Sequence, residues 1–405
     1  MSSILRWSRS LLPRSGSPTR QFPTSGFHTF SATEKIEEEG FAWYSADTFY
    51  PVRIGEVFHS KYQVLGKLGY GAYSTVWLCR DLQGHRHVAM KVYERNSAQG
   101  QRELDIYNHL NSITTANVGA TLVRTALDDF EISAPTGKHL CLIHQPLGMR
   151  LADLKARASG RKLPEELLKL TLIHILHALD FLHTEAKIVH TDIQDKNILL
   201  GVEDESIFSS FEKSELENPS ARKIDGDRVI YKSRELQIPK VHGRPVLCDF
   251  GEARTGSDSY HEDIQPYLYR APEVLLRMRW DHKVDIWNVG VLIWDIFENM
   301  HLFDARDENK ENSNLHHLAE MVALLGSPPN DFLRKSDYAP EFFDDQGNWR
   351  NAIPIPSISL EKLELNLSGS NKDLFLQFVR KMLQWTPEAR QSAKELLDDP
   401  WLRSS

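Results

Sequence analysis

Hydrophobic periodicity changes along this chain, and that change limits the folds open to it. Val88, Met90 and Val92 alternate with Ala89, Lys91 and Tyr93, the two-residue repeat of a strand. Later, Leu168, Leu172, Ile175, Leu179 and Leu182 fall at steps of four and three behind Pro164, the apolar stripe of a long helix. A helix is also expected near 101–110, and Leu374, Phe378 and Met382 repeat the helical spacing near the end. Strands early and helices late predict a small sheet-rich part followed by a larger helical one. A chain of 405 residues suits two packed lobes better than one core. No apolar run approaches the roughly 18 residues that cross a bilayer, so no membrane span is expected.

Charge divides the chain further. Residues 1–33 hold Arg6, Arg9, Arg14 and Arg20 and no acid. They read either as a mitochondrial targeting peptide, with an amphipathic start at Ile4, Leu5, Leu11 and Leu12, or as a disordered basic tail. Taking those four positive charges from the formal net −8 leaves −12 on the remainder. Such an acidic body disfavours direct nucleic-acid binding and favours basic partners. The acidic stretch Glu34 to Glu39 opens an extension over 34–61. Residues 201–243 are polar and lack clear periodicity, which predicts an insertion, partly disordered. Cys79, Cys141 and Cys248 stand apart, with no CxxC pair and no histidines at zinc spacing. That argues for a reducing compartment and against a disulfide framework or zinc.

Four short elements carry chemistry. In Gly69-Tyr-Gly-Ala-Tyr-Ser-Thr-Val76, two glycines let a strand–turn–strand loop lay backbone N–H groups against phosphate oxygens, although a plain hairpin carries the same residues. Lys91, in Val88-Ala-Met-Lys91, would grip the α- and β-phosphates, oriented by a helix carboxylate. Glu103 is the choice for that partner and Asp105 the alternative, two residues on and so nearly on the opposite helix face. In His190-Thr-Asp-Ile-Gln-Asp-Lys-Asn197, Asp192 would accept a substrate hydroxyl proton and Asn197 would ligate magnesium. In Leu247-Cys-Asp-Phe-Gly251, Asp249 would hold the same metal against the phosphates. Asp and Asn in loops are often turn formers instead, so the weight lies in the order of the elements.

Ala271-Pro-Glu273, Asp285-Ile-Trp-Asn-Val-Gly290 and Arg390 in Trp385-Thr-Pro-Glu-Ala-Arg complete that order, and residues 62–402 together resemble the eukaryotic protein kinase family. The resemblance implies an α+β, bilobal fold: a small β-rich N-lobe with one main helix over 62–147, and a larger, mostly helical C-lobe over 148–405. It implies ATP and Mg2+ as cofactors and transfer of the γ-phosphate to Ser/Thr hydroxyls of proteins. It also implies a Glu273–Arg390 pair anchoring the activation segment, and Asp285 bonding the catalytic-loop backbone. Leu68, Gly69, Tyr70, Gly71, Ala72, Tyr73, Ser74 and Val76 would line the nucleotide, with Ala89, Lys91 and Leu199. Gln145 and Leu147 would offer backbone groups to adenine, with His144 as a core histidine at the gatekeeper position.

A narrower resemblance rests on His-Thr-Asp-Ile, on Ser74-Thr-Val-Trp-Leu-Cys-Arg-Asp81, on Glu262-Asp-Ile-Gln265 ahead of Tyr269-Arg270, and on the insertion before Asp-Phe-Gly. These are similar to the SR-protein kinases of the CMGC group. That branch implies basic or Arg/Ser-rich protein substrates, acidic docking residues at Asp304, Asp307, Glu308 and Glu311, and a monomer. It implies cytoplasm or nucleus, with the mitochondrion open through residues 1–33.

Departures from the family pattern matter as much. Ser74 replaces the third loop glycine. Gln194 stands where the family has a lysine on the γ-phosphate, which keeps a pseudokinase or nucleotide-binding scaffold as the alternative function. Gln194→Lys should then speed transfer, unless Lys196, two residues on, already fills the role. Thr191 replaces the arginine that binds an activation-loop phosphate, so phosphate on Thr255, Ser257 or Ser259 should not be needed. Cys248, beside Asp249, is either a reactive thiol or a buried inert one.

Overall fold

Six antiparallel strands organise the first part of the chain in the computed structural model, which describes residues 16–404 apart from 136, 240, 351 and 352. They are β1 (Val57–Phe58), β2 (Tyr62–Tyr70), β3 (Ser74–Asp81), β4 (Arg86–Arg95), β5 (Asp128–Ala134) and β6 (Gly137–His144), in the order β1-β2-β3-β4-β6-β5. The expected alternation is present in β4: Val88, Met90 and Val92 enter a core with Val64, Trp77, Cys79, Cys141 and Ile143. Pairing of Val76 with Lys91, and of Ala89 with His144, sets these four residues on the opposite face.

The described residues divide into two units. The first comprises residues 16–97, 127–146 and 205–237; the second comprises 98–126, 147–204 and 238–404. The expected domain boundaries differ from this division in three places. The helix α1 (Ala98–Ser112) groups with the second unit rather than with the sheet.

The second difference is the insertion. Ser206–Glu217 is a helix and Arg222–Asp225 pairs with Arg228–Tyr231 as a hairpin, so this segment is folded and belongs to the first unit. Ile207, Phe208 and Phe211 of the helix are buried, and Tyr231 joins the sheet's core. Gly66 of β2 lets the helix approach, since a Cβ there would stand 2.7 Å from Phe211 Cε1. Its polar residues concealed this packing because they are paired: Glu212 lies 2.9 Å from Arg20 and 3.4 Å from Arg80, and Glu215 pairs with Arg234.

The third difference is the amino-terminal segment, expected to be disordered through residue 33. From Ser17 it is hydrogen-bonded to the sheet and the hairpin: Ser17 N donates to Leu82 O at 2.7 Å, Arg20 N to Gln63 Oε1 at 2.7 Å, and Phe30 N to Arg222 O at 3.0 Å. The expected amphipathic start and Arg6, Arg9 and Arg14 lie outside the described residues. The acidic stretch after it is mostly buried ion pairing. Glu38 binds the fully buried Lys67, and Glu39 lies 2.7 Å from Lys223 of the hairpin.

In the second unit, α2 (Leu151–Arg157) precedes α3 (Glu165–Phe181), for which Pro164 is the N-cap. The whole expected stripe, from Leu168 to Leu182, is buried. Burying each such leucine is worth about 1.5–3 kcal/mol. Against the sequence expectation, the continuous run Glu165–Ala186 has the length and apolar composition of a membrane-crossing helix; 50% of its most apolar window is buried inside the protein. Helix Lys283–Ile293 is almost wholly buried, and late in the chain Phe375, Phe378 and Met382 fill the core.

Candidate active site

The loop 190–197 takes its shape from a residue nearly a hundred positions away. Asp285, on helix Lys283–Ile293, accepts hydrogen bonds from His190 N and Thr191 N, each at 2.8 Å, and its Oδ2 lies 2.9 Å from His183 Nε2. Burial would push this carboxyl up, but the His183 contact and the charges and N–H groups around it hold it below its ordinary value. Thr191 is thereby fixed at φ 67°, a conformation that a β-branched residue adopts only under constraint. Its Oγ1 donates to Glu252 O at 2.7 Å, closing the loop onto the segment after Asp249.

Within that loop, Asp192 is half-buried and both carboxylate oxygens are engaged. Gln194 Nε2 donates to Oδ1 and Asn197 Nδ2 to Oδ2, the latter at 2.6 Å; Asn197 Nδ2 also reaches Asp192 O at 2.9 Å. The strands Ile198–Val202 and His242–Leu247 pair antiparallel, with Leu247 opposite Ile198, and Cys248 N donates to Asn197 O at 2.9 Å. This ladder brings Asn197 and Asp249 to one end, where Asp249 takes a left-handed φ of 66°. Leu199, half-buried, lies on the same ladder opposite Val246.

Glu103 of α1 is buried, and its Oε1 accepts hydrogen bonds from Tyr107 OH at 2.9 Å and Phe250 N at 3.3 Å. The alternative, Asp105, is exposed and bonds Gln101. Buried Glu273 and Arg390 form a two-pronged pair at 2.7 and 2.6 Å. Gln265 accepts from Ala271 N at 2.9 Å and donates to Val284 O at 3.0 Å, so it braces the segment before Ala271-Pro-Glu273. Cys248 is buried; burial above all, with Asp249 adding to it, pushes its thiol up to about 11, so the inert alternative is the one the structure favours.

On the first unit, Leu68, Gly69 and Tyr70 end β2, Gly71, Ala72 and Tyr73 form the turn, and Ser74 and Val76 begin β3. Gly71 N donates to Ser74 O at 2.8 Å; Tyr70 and Tyr73 are exposed. A Cβ on Gly69 would meet nothing within 4 Å, and one on Gly71 only Ser74 Oγ at 3.7 Å. No packing inside the protein therefore requires these glycines. Lys91 is half-buried with Nζ 5.0 Å from the centre of the Tyr93 ring, Ala89 and His144 are buried, and Gln145 is exposed. Leu147 is half-buried and belongs to the second unit.

Three features were missed in the sequence: Glu252, the carbonyl partner of Thr191; His183, which touches Asp285; and Lys155, whose Nζ lies 2.9 Å from Asp195 Oδ2. None belongs to a spaced motif, so only proximity reveals them.

Over residues 62–402 the chain matches the protein kinase domain family. A serine/threonine protein kinase of Aspergillus fumigatus is 49% identical over 389 residues, 95% of either chain. The serine/threonine-protein kinase SRPK of Physarum polycephalum is 29% identical, over 90% of this chain and 91% of its own. SRSF protein kinase 3 of Mus musculus is 24% identical over 90% of each. A crystal structure of a kinase domain has the same fold, with a TM-score of 0.66 at 24% identity, over 88% of this chain and 99% of that one.

Proposed function

This chain belongs to the protein kinase family and is a serine/threonine protein kinase, and we propose that Asp192, Asn197, Asp249 and Lys91 are its working groups and basic, Arg/Ser-rich proteins its substrates. The observation that carries the catalytic part is the joint constraint on one loop: Asp285 holds its backbone, and the Ile198–Leu247 pairing aligns Asn197 with the Asp249 segment.

In the transfer, the substrate hydroxyl oxygen forms a bond to the γ-phosphorus while the bond to the bridging oxygen breaks, its electron pair leaving with ADP. Asp192 takes the hydroxyl proton, its carboxylate oriented by the amides of Gln194 and Asn197. Magnesium, when bound, neutralises phosphate charge. Asn197 and Asp249 would hold it: the Asn197 amide nitrogen is committed to Asp192, which leaves its oxygen, and Asp249 supplies a carboxylate. That donor set suits Mg2+, which takes one or two protein oxygens and completes its shell from phosphate and water. Lys91 and the open backbone at Gly69 and Gly71 are the first unit's phosphate-binding groups.

Three facts support basic substrates: the −12 carried outside residues 1–33, the names of the SRPK and SRSF kinase relatives, and the acidic loop at 304–311. In that loop Asp307 accepts N–H bonds from Asn309 and Glu311, and Asp304 pairs with Arg306. Glu308 and Glu311 remain the exposed docking charges. The test is the full chain with Mg-ATP, Arg/Ser-repeat and acidic Ser peptides, and Asp192→Asn as control. We expect a several-fold preference for Arg/Ser peptide that shrinks in Glu308→Gln/Glu311→Gln and fades towards about 0.5 M salt. Equal kcat/KM for the two peptides at low salt would overturn the substrate assignment; transfer that survives Asp192→Asn would overturn the catalytic one.

A further inference from the structure

We infer that Lys196 is a catalytic residue: it supplies the cation that binds the transferring phosphoryl group, in place of the charge that Gln194 lacks. The inference rests on the kinase reading above and deepens it. A cavity of about 340 Å3 lies against the loop, lined by Asp192, Gln194, Lys196, Glu252, Asp263 and Arg270 among others. Its two cations differ. Arg270 is committed, with its guanidinium 3.1 Å from Asp263 Oδ2 and 5.3 Å from the Tyr267 ring centre. Lys196 is exposed and, among the described residues, has no ion-pair partner.

Its neighbours explain why. The adjacent acid, Asp195, is taken by Lys155 at 2.9 Å. Of the cavity's carboxylates, Asp263 faces Arg270, Glu252 lies 3.4 Å from Arg102 and 3.9 Å from Arg254, and Asp192 has both oxygens occupied by the neutral amides of Gln194 and Asn197. Gln194 thus orients the proton acceptor and contributes no charge. Lys196 carries an exposed ammonium on the same cavity wall, adjacent in sequence to Asn197. During transfer, negative charge lies on the three outer oxygens of the phosphoryl group. An ammonium donating to one of them stabilises that charge without bonding to phosphorus or giving up its proton. The hydroxyl proton still goes to Asp192 and the electron pair still leaves on ADP.

The test compares Lys196→Met, Lys196→Arg, Gln194→Lys and the double variant Gln194→Lys/Lys196→Met in the full chain. Steady-state kinetics, nucleotide affinity and Tm are measured for each. Lys196→Met should lower kcat about 100-fold with peptide KM and Tm little changed, and Lys196→Arg should retain part of the rate. Gln194→Lys should restore most of the loss in the Lys196→Met background, because it returns a cation to the same wall. An unchanged kcat in Lys196→Met would overturn the inference while leaving the kinase reading intact. So would a loss confined to peptide KM, which would make Lys196 a peptide-binding residue, or a folded double variant no faster than Lys196→Met. Wild-type protein without transfer sensitive to Asp192→Asn would instead sink the underlying reading.

Discussion

Both units bury charged side chains, and the two sets serve different ends. In the second unit, Asp285 grips two backbone N–H groups of the 190–197 loop, Glu103 accepts Phe250 N, and Glu273 holds Arg390. Two of these three carboxylates fix a backbone segment next to a proposed reacting group. In the first unit, Glu38 pairs with Lys67, Glu39 with Lys223, Glu212 with Arg20 and Arg80, and Glu215 with Arg234. Most of these join stretches remote in sequence: the amino-terminal extension to β2, the extension to the hairpin, the inserted helix to Arg20 and β3. Buried charge positions a loop in one unit and fastens added segments to a sheet in the other. Such pairs add little over apolar replacements, but removing one partner strands the other at a cost of about 3–5 kcal/mol.

If that contrast is right, breaking the second unit's buried charge contacts should lower turnover, and breaking the first unit's buried ion pairs should lower stability alone. The largest effect is expected from Asp249→Asn, which keeps a residue tolerant of φ 66°. Its kcat should fall by about 100-fold or more with Tm unchanged if Asp249 is the proposed metal carboxylate; near-normal turnover in the folded variant would remove the reacting group that the second unit's carboxylates are taken to position. Next, Arg390→Met leaves Glu273 buried without its guanidinium and should lose about 3–5 kcal/mol in denaturant unfolding, together with activity. Lys223→Met, which strands Glu39 in the first unit, should lose stability while kcat per folded molecule holds. A fall in kcat there would show that the added segments serve catalysis.

A smaller effect belongs to Glu212. The His87 hydrogen bond, with Arg80 and Arg20, holds its carboxyl below the ordinary value despite burial. A lowered folded pKa contributes stability above the ordinary carboxylate range that is lost as pH falls through the folded value. Glu212→Gln should therefore destabilise the fold near neutral pH, with the gap to wild type closing as pH falls below the ordinary carboxylate range. A gap independent of pH would mean that shape, not charge, holds the inserted helix. The smallest effect is none at all: phosphatase treatment should leave the rate unchanged. Thr191 offers no guanidinium to a phosphate on Thr255, Ser257 or Ser259, and its hydroxyl is already bonded to Glu252 O. Loss of activity on dephosphorylation would show another cation doing that work.

Legibility followed the range of the interactions. The β4 alternation and the α3 stripe were readable because each repeats within one element, and both faces of the prediction are seen in the core. Gly69, Lys91, Asp192, Asn197 and Asp249 could be singled out as candidates because each sits in a short motif whose order is distinctive. The inserted helix was not, since Glu212, Glu215 and Arg234 look like solvated charges until their partners, as far off as Arg20, are in view. Nor was the grouping of α1 with the second unit, which depends on Glu103 and Tyr107 meeting Phe250.

The sequence by itself determined which groups are candidates for phosphoryl transfer and the order in which they come, because local spacing and residue chemistry are properties of the chain alone. Only the tertiary structure decided that Asp285 clamps the loop, that Asp195 is taken by Lys155 while Lys196 is left to the cavity, and that residues 16–50 and 205–237 group with the sheet. Those outcomes turn on pairs separated by tens to hundreds of residues. A charge's role depends on which partner reaches it once water is excluded, and folding settles that partnership.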